Sequence, residues 1–113
     1  MRVALTIWEN RVSPVADSAR QLLLLDIGNV SILERRYERF QQESLFYRAK
    51  RLSDLNARIF ICGAISDFFR SLIEGYGIRI IPFIRGNADD VLQAYLAQSL
   101  SNPRFVMVGC PAA

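Results

Sequence analysis

A chain of 113 residues, 51% of them hydrophobic, has room for one domain with a real core and is too apolar to be disordered. Its formal net charge of +3, from 14 Lys plus Arg against 11 Asp plus Glu, suits an anionic ligand but falls short of a nucleic-acid footprint. The sequence contains no histidine, which excludes Ser-His-Asp and Cys-His catalysis and any zinc site that needs an imidazole.

Arg2 to Trp8 reads as the first strand. Val3, Leu5 and Ile7 alternate with Ala4, Thr6 and Trp8, so both faces are largely apolar and a central position is expected. Glu9 to Arg20 is a polar connection containing Arg11-Val12-Ser13-Pro14. Its length exceeds the usual run of about 4–6 residues and invites a functional reading. Gln21 to Ile27 is a second strand, Gly28-Asn29 a turn, and Val30 to about Tyr37 a third strand, making a hairpin. Glu34, Arg35, Arg36 and Glu38 mark that third strand as a charged edge.

Gln42 to Leu55 is the first helix, with Leu45, Ala49, Leu52 and Leu55 on one face. Ile59 to Cys62 is strand four, followed by Gly63-Ala64-Ile65 and a candidate N-cap at Ser66. The second helix runs from Asp67 to about Tyr76 and ends at Gly77. Ile78 to Phe83 is strand five, and Arg85-Gly86-Asn87 forms a loop on the same sheet edge as Gly63-Ala64. Asp89 to Leu100 is the third helix, broken by Asn102-Pro103, and Phe105 to Val108 adds a short strand or a packed tail. The order β-β-β-α-β-α-β-α predicts a mixed sheet with helices on both faces.

Cys62 and Cys110 make no disulfide framework, and a reducing, cytoplasmic setting is the expectation. No apolar run approaches the ~20 residues that cross a bilayer, so no membrane partner is expected.

Four pieces, in this order and spacing, resemble the dinitrogenase iron-molybdenum cofactor-binding domain family. They are Met1 to Leu5 leading to Arg11-Val12-Ser13-Pro14, then Leu24 to Ile27, then Leu55 to Ile65, and last Gly77 to Pro82 with Gly86 and Val91 to Leu96. The likeness spans roughly residues 1–100 of a single domain 1–113, leaving 101–113 as a C-terminal extension. It implies a three-layer α/β fold of the ribonuclease-H-like kind, with a mixed five-strand sheet containing one antiparallel strand. It also implies binding and delivery of an iron-molybdenum-type or other metal-sulfur cluster, with a cluster donor or acceptor protein as partner. The resemblance implies a His-Phe-Gly, common in the family, after Val-Ser-Pro; this chain has Val15-Ala16-Asp17 there, and Gly63-Ala64 in place of two glycines.

The candidate binding residues are Arg11 and Ser13 in the first loop, Cys62, Gly63, Ala64 and Ile65 in the second, and Arg85 and Gly86 in the third. Backbone N–H groups before a helix can hold an anion, and arginine offers a fixed fork of donors. Cys62 and Cys110 are candidate soft metal ligands. Each also has a plain reading: Cys62 as a small core hydrophobe, the Gly63 loop as a tight turn capped by Ser66, the arginines as solvated charges and Cys110 as an unpaired tail thiol. Without covalent catalysis, two functions compete: a carrier module for an anionic cluster, and a regulatory or protein-interaction domain without metal. A homodimer across the third strand would favour the second. A metal-dependent nuclease ranks below both, because Glu9, Asp26, Asp54 and Asp67 do not fall at a convincing set of strand ends.

Overall fold

The structure, a computed structural model, describes residues 1–110. Residues 111–113 of the expected C-terminal extension lie outside the described residues. Strands β1 (Arg2–Trp8), β3 (Gln21–Ile27), β4 (Ile32–Arg39), β5 (Ile59–Ile61) and β6 (Arg79–Ile81) form one sheet in the order β4-β3-β1-β5-β6. A sixth strand, β2 (Arg11–Val12), pairs with the end of β1. β1, β5 and β6 are parallel, and β3 runs antiparallel to both β1 and β4. The expected mixed α/β sheet with one antiparallel strand is therefore present, with a short sixth strand added.

The period-2 pattern sorts the core onto two faces. Ala4, Leu22, Leu24, Phe60, Cys62 and Ile80 face helices α1 (Leu45–Asp54) and α2 (Asp67–Glu74). Val3, Leu5, Leu23, Leu25, Ile59, Ile61 and Ile81 face helix α3 (Ala88–Leu96). On the first face, Phe40, Phe60 and Phe69 are fully buried, with ring centroids 6.3 to 6.4 Å apart. Burying each such ring contributes about 1.5–3 kcal/mol by area, with a further gain from edge-to-face geometry.

Arg48 is a buried cation in this layer. Its guanidinium lies 4.6 Å from the Phe40 ring centre and donates to the Ala19 and Gln42 carbonyls. Burial lowers its pKa, and its hydrogen bonds tie α1 to the two ends of the β3–β4 region.

Several boundaries differ from the expected ones. α1 begins at Leu45 rather than Gln42, because the Ser44 hydroxyl accepts from the Phe46 amide and sets the cap there. β4 starts at Ile32, carries a bulge at Leu33 opposite Asp26 and Ile27, and continues to Arg39 because β3 pairs with it that far. α3 starts at Ala88, one residue before the expected Asp89, and ends at Leu96 rather than Leu100. Gln98, at φ 59, turns the chain just beyond it. The tail forms a 3-10 turn at Pro103–Phe105 and a single bridge, Ile84 to Val106, instead of a strand over 105–108.

Candidate functional site

Three loops leave the C-terminal ends of the parallel strands β1, β5 and β6, the edge where open α/β sheets place ligands. The first loop folds back at once. Glu9 and Asn10 both take positive φ, 49° and 63°, so Trp8 and Arg11 pair across a two-residue hairpin turn. The Val12 amide then donates to the Gly86 carbonyl at 3.0 Å, and Arg11 bridges Asn87 in antiparallel fashion. The Asn10 carbonyl accepts from the Ala88 amide at 2.8 Å, at the start of α3. Arg11 and Arg85 thus stand two positions apart along one short pairing, both exposed, and neither has an ion-pair partner among the described residues.

The first and second loops interlock. The Ala64 amide donates to the Pro14 carbonyl and the Ala16 amide to the Ala64 carbonyl, each at 2.8 Å, a parallel bridge between Val15 and Ala64. Gly63 is required by this crossing. A Cβ there would stand 2.4 Å from the Ser13 carbonyl oxygen and 2.6 Å from that of Pro14. The second and third loops are joined as well: the Phe83 amide donates to the Gly63 carbonyl at 2.9 Å and the Ile84 amide to the Cys62 carbonyl at 3.0 Å.

The N-terminus of α2 carries its own anion. The Asp17 carboxylate accepts from the Ser66 amide at 3.0 Å and from the Ser66 hydroxyl at 2.5 Å. The same hydroxyl accepts from the Phe69 amide as the helix cap. A carboxylate at this position meets both the unpaired amides and the positive end of the helix. The amides of Ala64 and Ser66, expected as donors to a ligand, are therefore bonded within the chain.

Cys62 points into the α1 and α2 face of the core and is fully buried. Burial pushes its thiol up to about 12; nearby Arg70 pulls it down and Asp17 pushes it up further, both by less. At neutral pH it is a thiol, not the thiolate a soft metal takes. Next to it in the sheet, the Thr6 hydroxyl is buried without a hydrogen-bond partner among the described residues.

Cys110 is half-buried in a separate depression of about 250 Å³, lined also by Arg85, Pro103, Met107 and Val108. Both cysteines are free thiols, and Cys62 is not among the residues of that depression. Among the described residues no group of three or more His, Cys, Asp or Glu side chains could hold a metal ion. The acids weighed for a nuclease are spread out: Asp26 pairs with Arg2 and Asp54 with Lys50. The larger cavity, about 510 Å³, lies at the opposite end of the parallel strands, near Met1 and Arg79, away from all three loops.

Of the expected site residues, Arg11, Gly63, Ala64 and Gly86 take part in the backbone pairing of the loops, with Ser13 packed against Gly63 and Arg85 beside Gly86 but bonded to the tail at Phe105. Ser13 and Ile65 are buried, Cys62 faces the core, and Cys110 lies on the tail. Sequence reasoning missed Asp17 and Phe83. Asp17 precedes Ser66 by 49 positions, so only the folded loops pair them. Phe83 holds φ 61, a strained value for a bulky residue, in a position that carries no glycine to signal it. No helix among the described residues is long and apolar enough to cross a membrane.

A family model described as dinitrogenase iron-molybdenum cofactor matches residues 1–98. Among solved structures, the crystal structure of PH0822 superposes with a TM-score of 0.82 at 20% identity, covering 87% of this chain and 90% of that one. Protein MJ0327 of Methanocaldococcus jannaschii gives 0.74 at 16% identity, over 88% and 90% of the two chains. The apo form of the orange protein of Desulfovibrio gigas gives 0.71 at 15% identity, over 99% and 96%. At these identities the likeness is one of fold. No curated protein matches the sequence.

Proposed function

The chain belongs to the dinitrogenase iron-molybdenum cofactor family, and we propose on that premise that it is a binding module for an anionic metal-sulfur cargo, without covalent catalysis. The cargo, an iron-molybdenum-type or other metal-sulfur cluster, docks on the outside of the loop platform at the C-terminal ends of β1, β5 and β6. Arg11 and Arg85 hold it by charge-assisted hydrogen bonds, and Trp8, 58% exposed at the end of β1, provides an apolar wall.

The carrying observation is the interlock itself. Six backbone hydrogen bonds fix the three loops to one another, so Arg11 and Arg85, both exposed and without an ion-pair partner among the described residues, are carried on a rigid base. Ligation by Cys62 does not fit, because its thiol is buried and protonated. Cargo held by its charge and sulfide surface can be passed on without breaking a protein–metal bond. A donor or acceptor protein would meet the cargo at this same edge.

Metal analysis and absorption spectroscopy on protein purified anoxically, without tag or chelator, test the reading. Stoichiometric metal that disappears in an Arg11→Ala/Arg85→Ala variant supports it. Metal retained by that variant and lost in Cys62→Ala would overturn it.

One observation favours the second reading, a regulatory or interaction domain without metal. The Asp17 carboxylate fills the α2 terminus that an anionic cargo would otherwise meet. On that reading the same platform recognises a protein surface, and wild-type protein stays metal-free after anoxic loading.

A further inference from the structure

The two edges of the sheet are finished differently. Past the three-residue β6, the chain's own tail pairs with the segment that continues it: the Met107 amide donates to the Phe83 carbonyl, and the Arg85 amide to the Phe105 carbonyl, each at 2.8 Å. Beyond β4 there is no further strand among the described residues. β4 is also the longest strand, eight residues, and Leu33 and Tyr37 on it are 72% and 58% exposed.

We propose that β4 pairs antiparallel with β4 of a second copy of this chain, about a two-fold axis through Arg35, joining the two sheets into one. The proposal is argued from β4 alone; a dimer there would add weight to the interaction-domain reading of the loop platform, and a monomer would leave the carrier reading standing.

The backbone is set up for it. The Phe40 amide donates to the Arg20 carbonyl at 2.8 Å, and β3 and β4 then pair in regular register from Gln21–Arg39 to Asp26–Glu34. In such a ladder alternate residues turn their N–H and C=O groups to the neighbour. Glu34, Arg36 and Glu38 therefore bond to β3, while Arg35, Tyr37 and Arg39 present theirs outward, unpaired.

The side chains select the register. Residues directly opposite in adjoining antiparallel strands share a face, so a two-fold axis normal to the sheet allows only pairings of like parity. Centring on Arg36 sets Glu34 against Glu38 and Arg36 against itself, all like charges. Centring on Tyr37 sets Arg36 against Glu38 twice but also Arg35 against Arg39 twice, so its opposite and like pairs cancel. Centring on Arg35 sets Glu34 against Arg36 twice. Its one like pair, Arg35 against Arg35, is offset because each Arg35 is already bonded to Asp89 of its own α3 at 2.7 Å. Opposite charges across a strand pair favour it and like charges oppose it. A protective edge of one sign would repel a copy in every register, whereas this run carries both signs. Strand pairing alone buries a modest area, so the dimer is concentration-dependent.

Sedimentation velocity on the full chain at low salt, up to about 500 μM, tests this. Wild type is expected to shift from monomer to dimer with concentration. Glu34→Arg and Arg36→Glu each place two like pairs across the axis and are expected to weaken the dimer at least about tenfold. Mixing these two variants restores both opposite pairs and is expected to give a heterodimer. Circular dichroism and thermal melts identify any variant that fails to fold, and Glu34→Gln/Arg36→Gln then replaces it as the weakened form. Wild type that stays monomeric throughout, or single variants that dimerise like wild type, would overturn the proposal.

Discussion

The Asp17 carboxylate accepts hydrogen bonds from both the amide and the hydroxyl of Ser66, so the positive end of α2 is neutralised by the chain's own charge. The contact joins the 3-10 turn after Pro14 to the helix that follows Cys62. It thereby completes the interlock begun by the Val15–Ala64 bridge.

Asp17→Ala removes two acceptors from a partly exposed cap. A loss of about 1 kcal/mol in urea unfolding is expected, in the range of a lost N-cap or charged hydrogen bond near the surface. The same variant exposes the Ser66 amide, so an added oxyanion such as phosphate should stabilise it more than it stabilises wild type. Equal stabilisation of both proteins would mean that the α2 terminus takes no anion even when vacated.

Gly63→Ala brings a methyl group against two backbone carbonyls that no side-chain rotation can move away. A loss of about 2–4 kcal/mol is expected, as for an overpacked or strained core position. Gly77→Ala is the control. Its φ is 77° but nothing stands within 4 Å, so only backbone strain opposes it, about 1 kcal/mol. Thermal melts that rank these two the other way round would place the loop crossing elsewhere.

Cys62 gives a pH dependence with a definite sign. In the unfolded chain its thiol loses a proton near 9.0; in the folded chain burial holds the proton up to about 12. Above 9 the unfolded state binds fewer protons, so stability is full below that value and falls as the pH rises toward 12. A Cys62→Ala variant should lack this component of the alkaline slope. Thiol titration should find Cys110 alone in the native protein and both cysteines in denaturant.

Much of the fold was legible because its cause is local. The alternation in β1 and β3, the Ser66 cap and the left-handed turn at Gly77, three residues past the end of α2 at Glu74, are written in adjacent residues. The hairpin β1–β2 was not legible, since Glu9 and Asn10 adopt a turn that glycine usually marks. The site was legible only as a set of loops. Arg11, Gly63 and Arg85 do meet at one edge, but the sequence cannot show that Pro14 would consume the Ala64 amide or that Asp17 would consume that of Ser66. Those contacts depend on how two distant loops cross. Cys62 was ambiguous for the same reason: whether a strand-end thiol faces the core or the cleft depends on the layer above it.

The hairpin turn also carries a testable strain. Glu9→Gly relieves the positive φ without removing a hydrogen bond and should raise stability by about 0.5–1 kcal/mol. No gain in the urea midpoint would mean that the Glu9 side chain makes a compensating contact.

The most direct test of how this protein holds its cargo is an anoxic equilibrium titration with tetrathiomolybdate, a simple soluble anionic metal sulfide, followed by absorption. The account predicts one saturable site in wild type, an unchanged site in a folded Cys62→Ala variant, and binding at least about tenfold weaker in Arg11→Ala/Arg85→Ala, from loss of charge-assisted bonds. Wild-type protein without saturable binding, or binding lost in Cys62→Ala and kept in the double arginine variant, would contradict it.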